Sequence, residues 1–310
     1  MILSKSAREA GIPLAEVAAY STIFPMPRRS DEGFDTSEML QHITAVQPGT
    51  LKLDRRFLPG ISELTTLAEI IEVPDHKKTR EASKHFVAFG QMLLTSKDEG
   101  ETALHVALKP LDDSVLAHEY GVTNLIASGE VPYCNTFRPI GVARMYDGQA
   151  AMLTMYRHPV RSMDNILLNP ELIDEQEIVD RALDRVGVTL ATAHAGDLLL
   201  VDSVARNMVW DPSTKHSGNV FLVDFEEAGT THQMTMDEAR TRRIGDLTTF
   251  IASSYGLEKV GCELPEDFDV RLTAVMGEAY ESRFRQIAGN AGIVTATDIA
   301  SIVAQSPRLP

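Results

Sequence analysis

The sequence predicts an α+β chain, β-rich in its first half and helical in its second. Three observations carry this. Short apolar runs separated by turn residues recur between about residues 64 and 156. Residues 175–195 place Ile178, Val179, Ala182, Leu183, Val186 and Leu190 at helical spacing. A brief apolar return, Val220-Phe221-Leu222-Val223, ends in Asp224 inside the otherwise helical half.

The elements follow in order. Residues 1–62 mix short apolar stretches with Pro25, Pro27, Pro48-Gly49 and Pro59-Gly60, and read as an N-terminal extension that packs on or leads into the next domain. A helix is expected over 14–20. Residues 67–73 and 86–95 are the first two expected strands, and Asp98-Glu99-Gly100 is a turn before a hairpin partner at 103–108. A helix is expected over 112–127. Two strands follow at 139–146 and 151–156, divided by Asp147-Gly148. Helices close the chain at 268–287 and 297–304. The division is 1–62, 63–158 and 159–310.

Composition narrows the function. In 310 residues the hydrophobic fraction is 44%, ample for a core, and the net charge is −15. That balance speaks against general nucleic-acid binding, which needs excess Lys and Arg to neutralise phosphates. The two cysteines, Cys134 and Cys262, are far apart and fit no metal-ligand spacing. No apolar run nears the ~20 residues needed to span a bilayer. No secretory signal stands at the N-terminus, so a cytoplasmic protein with no membrane association is expected.

The chemistry-bearing pattern is Asp202-Ser203-Val204-Ala205-Arg206-Asn207, followed by Asp224-Phe225-Glu226 after the apolar strand. Upstream stand Val106-Ala107-Leu108-Lys109 at a strand end and Glu119 on the next helix. His194 lies eight residues before Asp202, and Arg243-Ile244-Gly245-Asp246 opens a later helix. In this order the motifs resemble those of the protein-kinase-like superfamily, in a divergent form similar to RIO and Bud32 kinases and aminoglycoside phosphotransferases. The resemblance runs from about residue 65 to 290.

It implies a bilobal fold, a β-rich N-lobe and a helical C-lobe with a cleft between them. It further implies use of ATP and Mg²⁺. Lys109, held by Glu119, would meet the α- and β-phosphates. The stretch Met155-Tyr156-Arg157-His158 would form the hinge, with Met155 behind the adenine and the backbone of Tyr156 to His158 along its edge. Ser162 is the expected N-cap of the next helix. Asp202 would be the catalytic carboxylate that accepts the acceptor's hydroxyl proton. Asn207 and Asp224 would hold Mg²⁺ through hard oxygen ligands, with Glu226 or Glu227 a candidate for a second ion. Asp246 would brace the catalytic loop by accepting its backbone N–H groups.

The pattern departs from the family in four places. No Gly-rich loop stands between the first two strands, where Lys77, Lys78, Arg80 and Lys84 lie instead. Leu200-Val201 replaces the usual His-Arg, which removes the link to a phosphorylated activation loop. Glu226 stands where Gly is usual. The stretch between Asp224 and Asp246 is too short for a long activation segment. Two readings follow: a phosphotransferase acting on a hydroxyl of a protein Ser/Thr or of a small molecule, or a nucleotide-binding scaffold without turnover.

Overall fold

The computed structural model describes residues 20–21, 24–30, 33–57, 67–69, 87–96, 100–132, 134–145, 147–155, 160–169, 176–211, 219–260 and 264–306. The expected helix over 14–20 lies outside these residues except for Tyr20, which stands in a strand, and the loop holding Lys77 to Lys84 and the expected turn at Asp98-Glu99 lie outside them too.

In chain order the elements are β1 (Tyr20–Ser21), β2 (Arg28–Ser30), β3 (Gly33–Asp35), α1 (Ser37–Thr44), β4 (Leu51–Leu53), β5 (Leu67–Glu69), β6 (Ala88–Ser96), β7 (Gly100–Leu111) and α2 (Asp113–Ala127). Next come β8 (Pro139–Arg144), β9 (Ala150–Met155), β10 (Arg161–Ser162), α3 (Met163–Leu167), α4 (Gln176–Ala195) and β11 (Leu198–Leu199). The chain continues with β12 (Met208–Asp211), β13 (Asn219–Leu222), β14 (Gly229–Thr230), α5 (Met236–Gly256) and α6 (Phe268–Arg271). A π-helical segment (Leu272–Gly277), α7 (Glu278–Ala288) and α8 (Ala296–Gln305) complete it. The fold is α+β, an N-terminal antiparallel sheet followed by a mainly helical portion.

The chain divides into two compact units. The first comprises residues 1–28, 35–124 and 137–158; the second, 29–34, 125–136 and 159–310.

The first unit is built on a seven-stranded sheet of order β1-β4-β8-β9-β7-β6-β5. Its pairs are antiparallel except β1 with β4. Alternation along β9 sends Ala150 and Met152 to one face and Ala151 and Leu153 to the other, as the two-residue period of a strand dictates. Ala150 and Met152 join a cluster with Leu116, Ala117 and Tyr120 of α2 and Met39 and Ile43 of α1. The N-terminal segment, expected to pack on or lead into this domain, instead supplies part of it. Strand β4 sits inside the sheet, and Phe24 and α1 fill its core. Three-residue strands are too short for their alternation to register in the sequence. Gly141 is where β4 and β8 meet closely: a Cβ there would lie 2.2 Å from the Lys52 carbonyl oxygen.

In the second unit α4 is the central helix, burying Val179, Leu183, Val186 and Leu190 completely. Gly187 lets the π-helical segment press against it, since a Cβ there would fall 2.3 Å from the Met276 carbonyl oxygen. The helix expected over 268–287 is one rod in the sequence but three pieces here, interrupted by that π segment. Helix α5 begins with a capping box between Thr235 and Glu238, and α8 with one between Thr295 and Asp298. Ser162 occupies the N-cap of α3 as expected, but its side chain makes no cap bond. It donates instead to the Asp164 carboxylate, whose Oδ1 accepts the Asn165 N–H at 2.8 Å. A charged acceptor is stronger than a hydroxyl there. Among the described residues no helix is long and apolar enough to cross a membrane.

Candidate active site

In the first unit, β7 presents Lys109 on the same face as Leu111, two residues on, which is the face covered by α2. On α2, Leu116, Glu119, Tyr120 and Thr123 share the buried stripe at helical spacing. The Lys109 ammonium therefore meets the Glu119 carboxylate, donating to Oε2 at 2.8 Å and Oε1 at 3.1 Å. Lys109 is 9% exposed and Glu119 2%. The pairing written from the sequence is present, and it is nearly dry. Met155 ends β9, half-buried against the second sheet cluster. Tyr156, Arg157 and His158 lie outside the described residues.

In the second unit, β11 leads into a turn and a 3-10 helix (Ala205–Asn207) that together carry the Asp202 motif. Asn207 donates its amide Nδ2 to the Asp202 carbonyl at 2.9 Å and to Asp202 Oδ2 at 3.2 Å. The Arg206 guanidinium lies 3.6 Å from the same Oδ2. Asp202 Oδ1 has no partner among the described residues. With Nδ2 committed to Asp202, the Asn207 amide must aim Oδ1 the other way, and that oxygen too has no partner among the described residues. Strand β13 reaches this turn through the Val223 N–H, which donates to the Asn207 carbonyl at 3.0 Å. Asp224 follows directly, half-buried and in the left-handed backbone region at φ 66°.

The turn itself is clamped from α5. Asp246 is buried, and its carboxylate accepts the Leu200 N–H at 2.7 Å through Oδ2 and the Val201 N–H at 2.9 Å through Oδ1. Its carbonyl accepts the Ser203 hydroxyl. The Ala205 N–H donates to Ser253 Oγ at 2.9 Å, about two α5 turns further on. Asp246 is thus the brace the sequence predicts, and Ser203 and Ser253 are braces it does not reveal. Val201 needs such holding, because its φ of 63° is strained for a β-branched residue.

Behind Asp246 lies His194, fully buried at the end of α4, with Nε2 at 3.1 Å from Asp246 Oδ2. A carboxylate can only accept, so Nε2 carries the hydrogen. Nδ1 then accepts the Tyr280 hydroxyl at 2.8 Å. Burial pushes the Tyr280 phenol well above its ordinary value, against the pull of nearby Arg243, so it is a neutral donor. Arg243 sits 4.9 Å over the Phe284 ring and donates to the Gly292 carbonyl at 2.9 Å. Tyr280 is absent from the motif pattern because it lies 86 residues from its partner. The only local signal is its i,i+4 spacing with Phe284.

The structure thus joins Lys109 with Glu119 in one unit, and Asp202 with Asn207 and the strand end bearing Asp224 in the other. A strand lysine paired with a helix glutamate, and a braced aspartate–asparagine turn beside a second aspartate, are the contacts these residues make within each unit. Among solved structures, the chain is similar to one of WaaP in complex with acyl carrier protein. That likeness covers 77% of this chain and 96% of that one, with 15% identity and a TM-score of 0.44. No protein-family model and no curated protein matches the chain.

Proposed function

We propose that the protein is an ATP- and Mg²⁺-dependent phosphotransferase that moves the γ-phosphoryl group to a hydroxyl. The observation that carries this reading is the Asp202–Asn207 turn. One carboxylate oxygen is held by Asn207 and Arg206, and the other is open to accept an acceptor O–H. A carboxylate held in one orientation can align the hydroxyl and draw its proton as the bond to phosphorus forms.

The donor set suits Mg²⁺. The Asn207 amide oxygen and the Asp224 carboxylate are hard oxygen ligands, and the amide oxygen is aimed by the two bonds its nitrogen makes. Bound Mg²⁺·ATP supplies the transferable phosphoryl group and the neutralisation of its charge. Lys109, oriented by Glu119, is the phosphate-facing cation of the first unit. In this reading residues 63–158 serve as N-lobe and 159–310 as C-lobe, with Met155 to His158 as the hinge, and the protein works in the cytoplasm, where ATP is at hand. The acceptor is a protein Ser/Thr hydroxyl or a small molecule such as an aminoglycoside.

Thermal shift with ATP, with and without Mg²⁺, tests the reading together with ADP release. At a hundred times its dissociation constant, a ligand adds about 2.7 kcal/mol to the native state. We expect a metal-dependent shift, and ADP release that Asp202→Ala abolishes without loss of the shift. A shift with no ADP release under any acceptor would favour the scaffold reading. Normal turnover in Asp202→Ala would remove Asp202 from the role of base.

A further inference from the structure

We infer that the Tyr280 hydroxyl is a positioning group for Asp202, acting through His194 and Asp246 on the backbone of Leu200 and Val201. The catalytic consequence rests on the phosphotransferase reading above; the coupling itself does not.

The chain of contacts is continuous, and it is buried from Tyr280 as far as the Leu200 amide. Tyr280 O–H donates to His194 Nδ1, His194 Nε2–H to Asp246 Oδ2, and Asp246 accepts the two amides that precede Asp202. Each link fixes the next. The phenol selects the His194 tautomer that can donate to Asp246. The imidazole in turn limits rotation of the Asp246 carboxylate, whose two oxygens must face two different amides. Val201 is the point of leverage. It is 46% exposed, so packing does little to hold its φ of 63°, and the bond from its N–H to Asp246 is what opposes relaxation. Relaxation there would swing the next residue, Asp202. The ring of Tyr280 is held separately, stacked on Phe284 at 6.1 Å and edge-on to His194 at 5.6 Å. Tyr280→Phe therefore removes the hydroxyl and leaves the packing.

The test is amide hydrogen exchange across residues 198–203, with steady-state kinetics alongside. In Tyr280→Phe we expect exchange at the Leu200 and Val201 amides to rise about fivefold, the worth of one neutral hydrogen bond. Exchange in β7 of the first unit should be unchanged. The kcat for phosphotransfer should fall about tenfold with KM for ATP kept within about twofold, the mark of a displaced reacting group. A second substitution separates positioning from plain structural support. Glycine adopts positive φ without strain. In a Val201→Gly background the same Tyr280→Phe change should lower kcat by less than about twofold, because the clamp no longer opposes strain. Unchanged exchange at Leu200 and Val201 would overturn the inference, as would an undiminished kcat loss in the Val201→Gly background. If the wild type fails to bind Mg²⁺·ATP while the exchange result holds, the coupling stands and the phosphotransferase reading falls.

Discussion

Replacing Lys109 with Met tests the first unit most directly. The gross attraction across the 2.8 Å gap to Glu119 is about 6 kcal/mol at an effective dielectric of ~20. Most of that offsets the loss of hydration of two groups that are 9% and 2% exposed. The pair is therefore worth little compared with an apolar pair of the same shape. Removing one partner is different, since it takes the paired opposite charge away from a group in a dry site, at a cost of about 3–5 kcal/mol. Lys109 keeps a little solvent, so about 3 kcal/mol is expected for Lys109→Met, measured by urea unfolding. The Lys109→Met, Glu119→Leu double variant should return to within about 1 kcal/mol of wild type, so that, with each single variant costing about 3 kcal/mol, a coupling energy of about 5 kcal/mol should close the cycle. Neither variant should show the thermal shift with Mg²⁺·ATP. A Lys109→Met chain as stable as wild type would refute the buried-pair argument, and so would a double variant that loses the sum of the singles.

Three other outcomes are expected. Asp202→Asn should keep the fold within about 0.5 kcal/mol, as at other sites with solvent access, yet lose ADP release by at least about a hundredfold; parallel unfolding and turnover measurements check it. Gly187→Ala should lower the melting temperature despite its better helix propensity, because its Cβ would meet the Met276 carbonyl oxygen at 2.3 Å and overpacking costs about 1–3 kcal/mol. Burial pushes the Cys134 thiol up to about 12, so its folded-state stabilisation is intact below the ordinary value near 9 and is lost as pH rises from there towards 12, at about 1.4 kcal/mol per unit. At pH 8 Cys134 should resist alkylation in the native chain and react once unfolded, as site-resolved mass spectrometry would report.

Much of the site is legible in the sequence because its groups act in local pairs. Lys109 and Glu119 sit at the end of one element and the middle of the next, and Asp202 and Asn207 share one turn. Asp246 is legible through its motif, and the structure gives it both amides. Tyr280 is not, since a hydrogen bond across 86 residues leaves no spacing to find. Strand β4 escapes for a different reason. Three residues, Leu51-Lys52-Leu53, are too few to separate strand from loop, and their partners β1 and β8 make them a strand. The π interruption at Leu272–Gly277 is equally silent, because its apolar residues fit a continuous helix as well.

The place of β4 governs how the chain can be cut. It lies between β1 and β8, and its neighbours Phe24, Met39 and Ile43 cover apolar residues of α2 and β9. A fragment starting at residue 63 would keep every motif residue and lose this cover. Strand β8 would then become an open edge beside an uncovered apolar face, the combination that recruits other chains. Such a fragment should be recovered as aggregates, and a library of shortened forms should yield well-behaved protein only where residues 24–57 are kept.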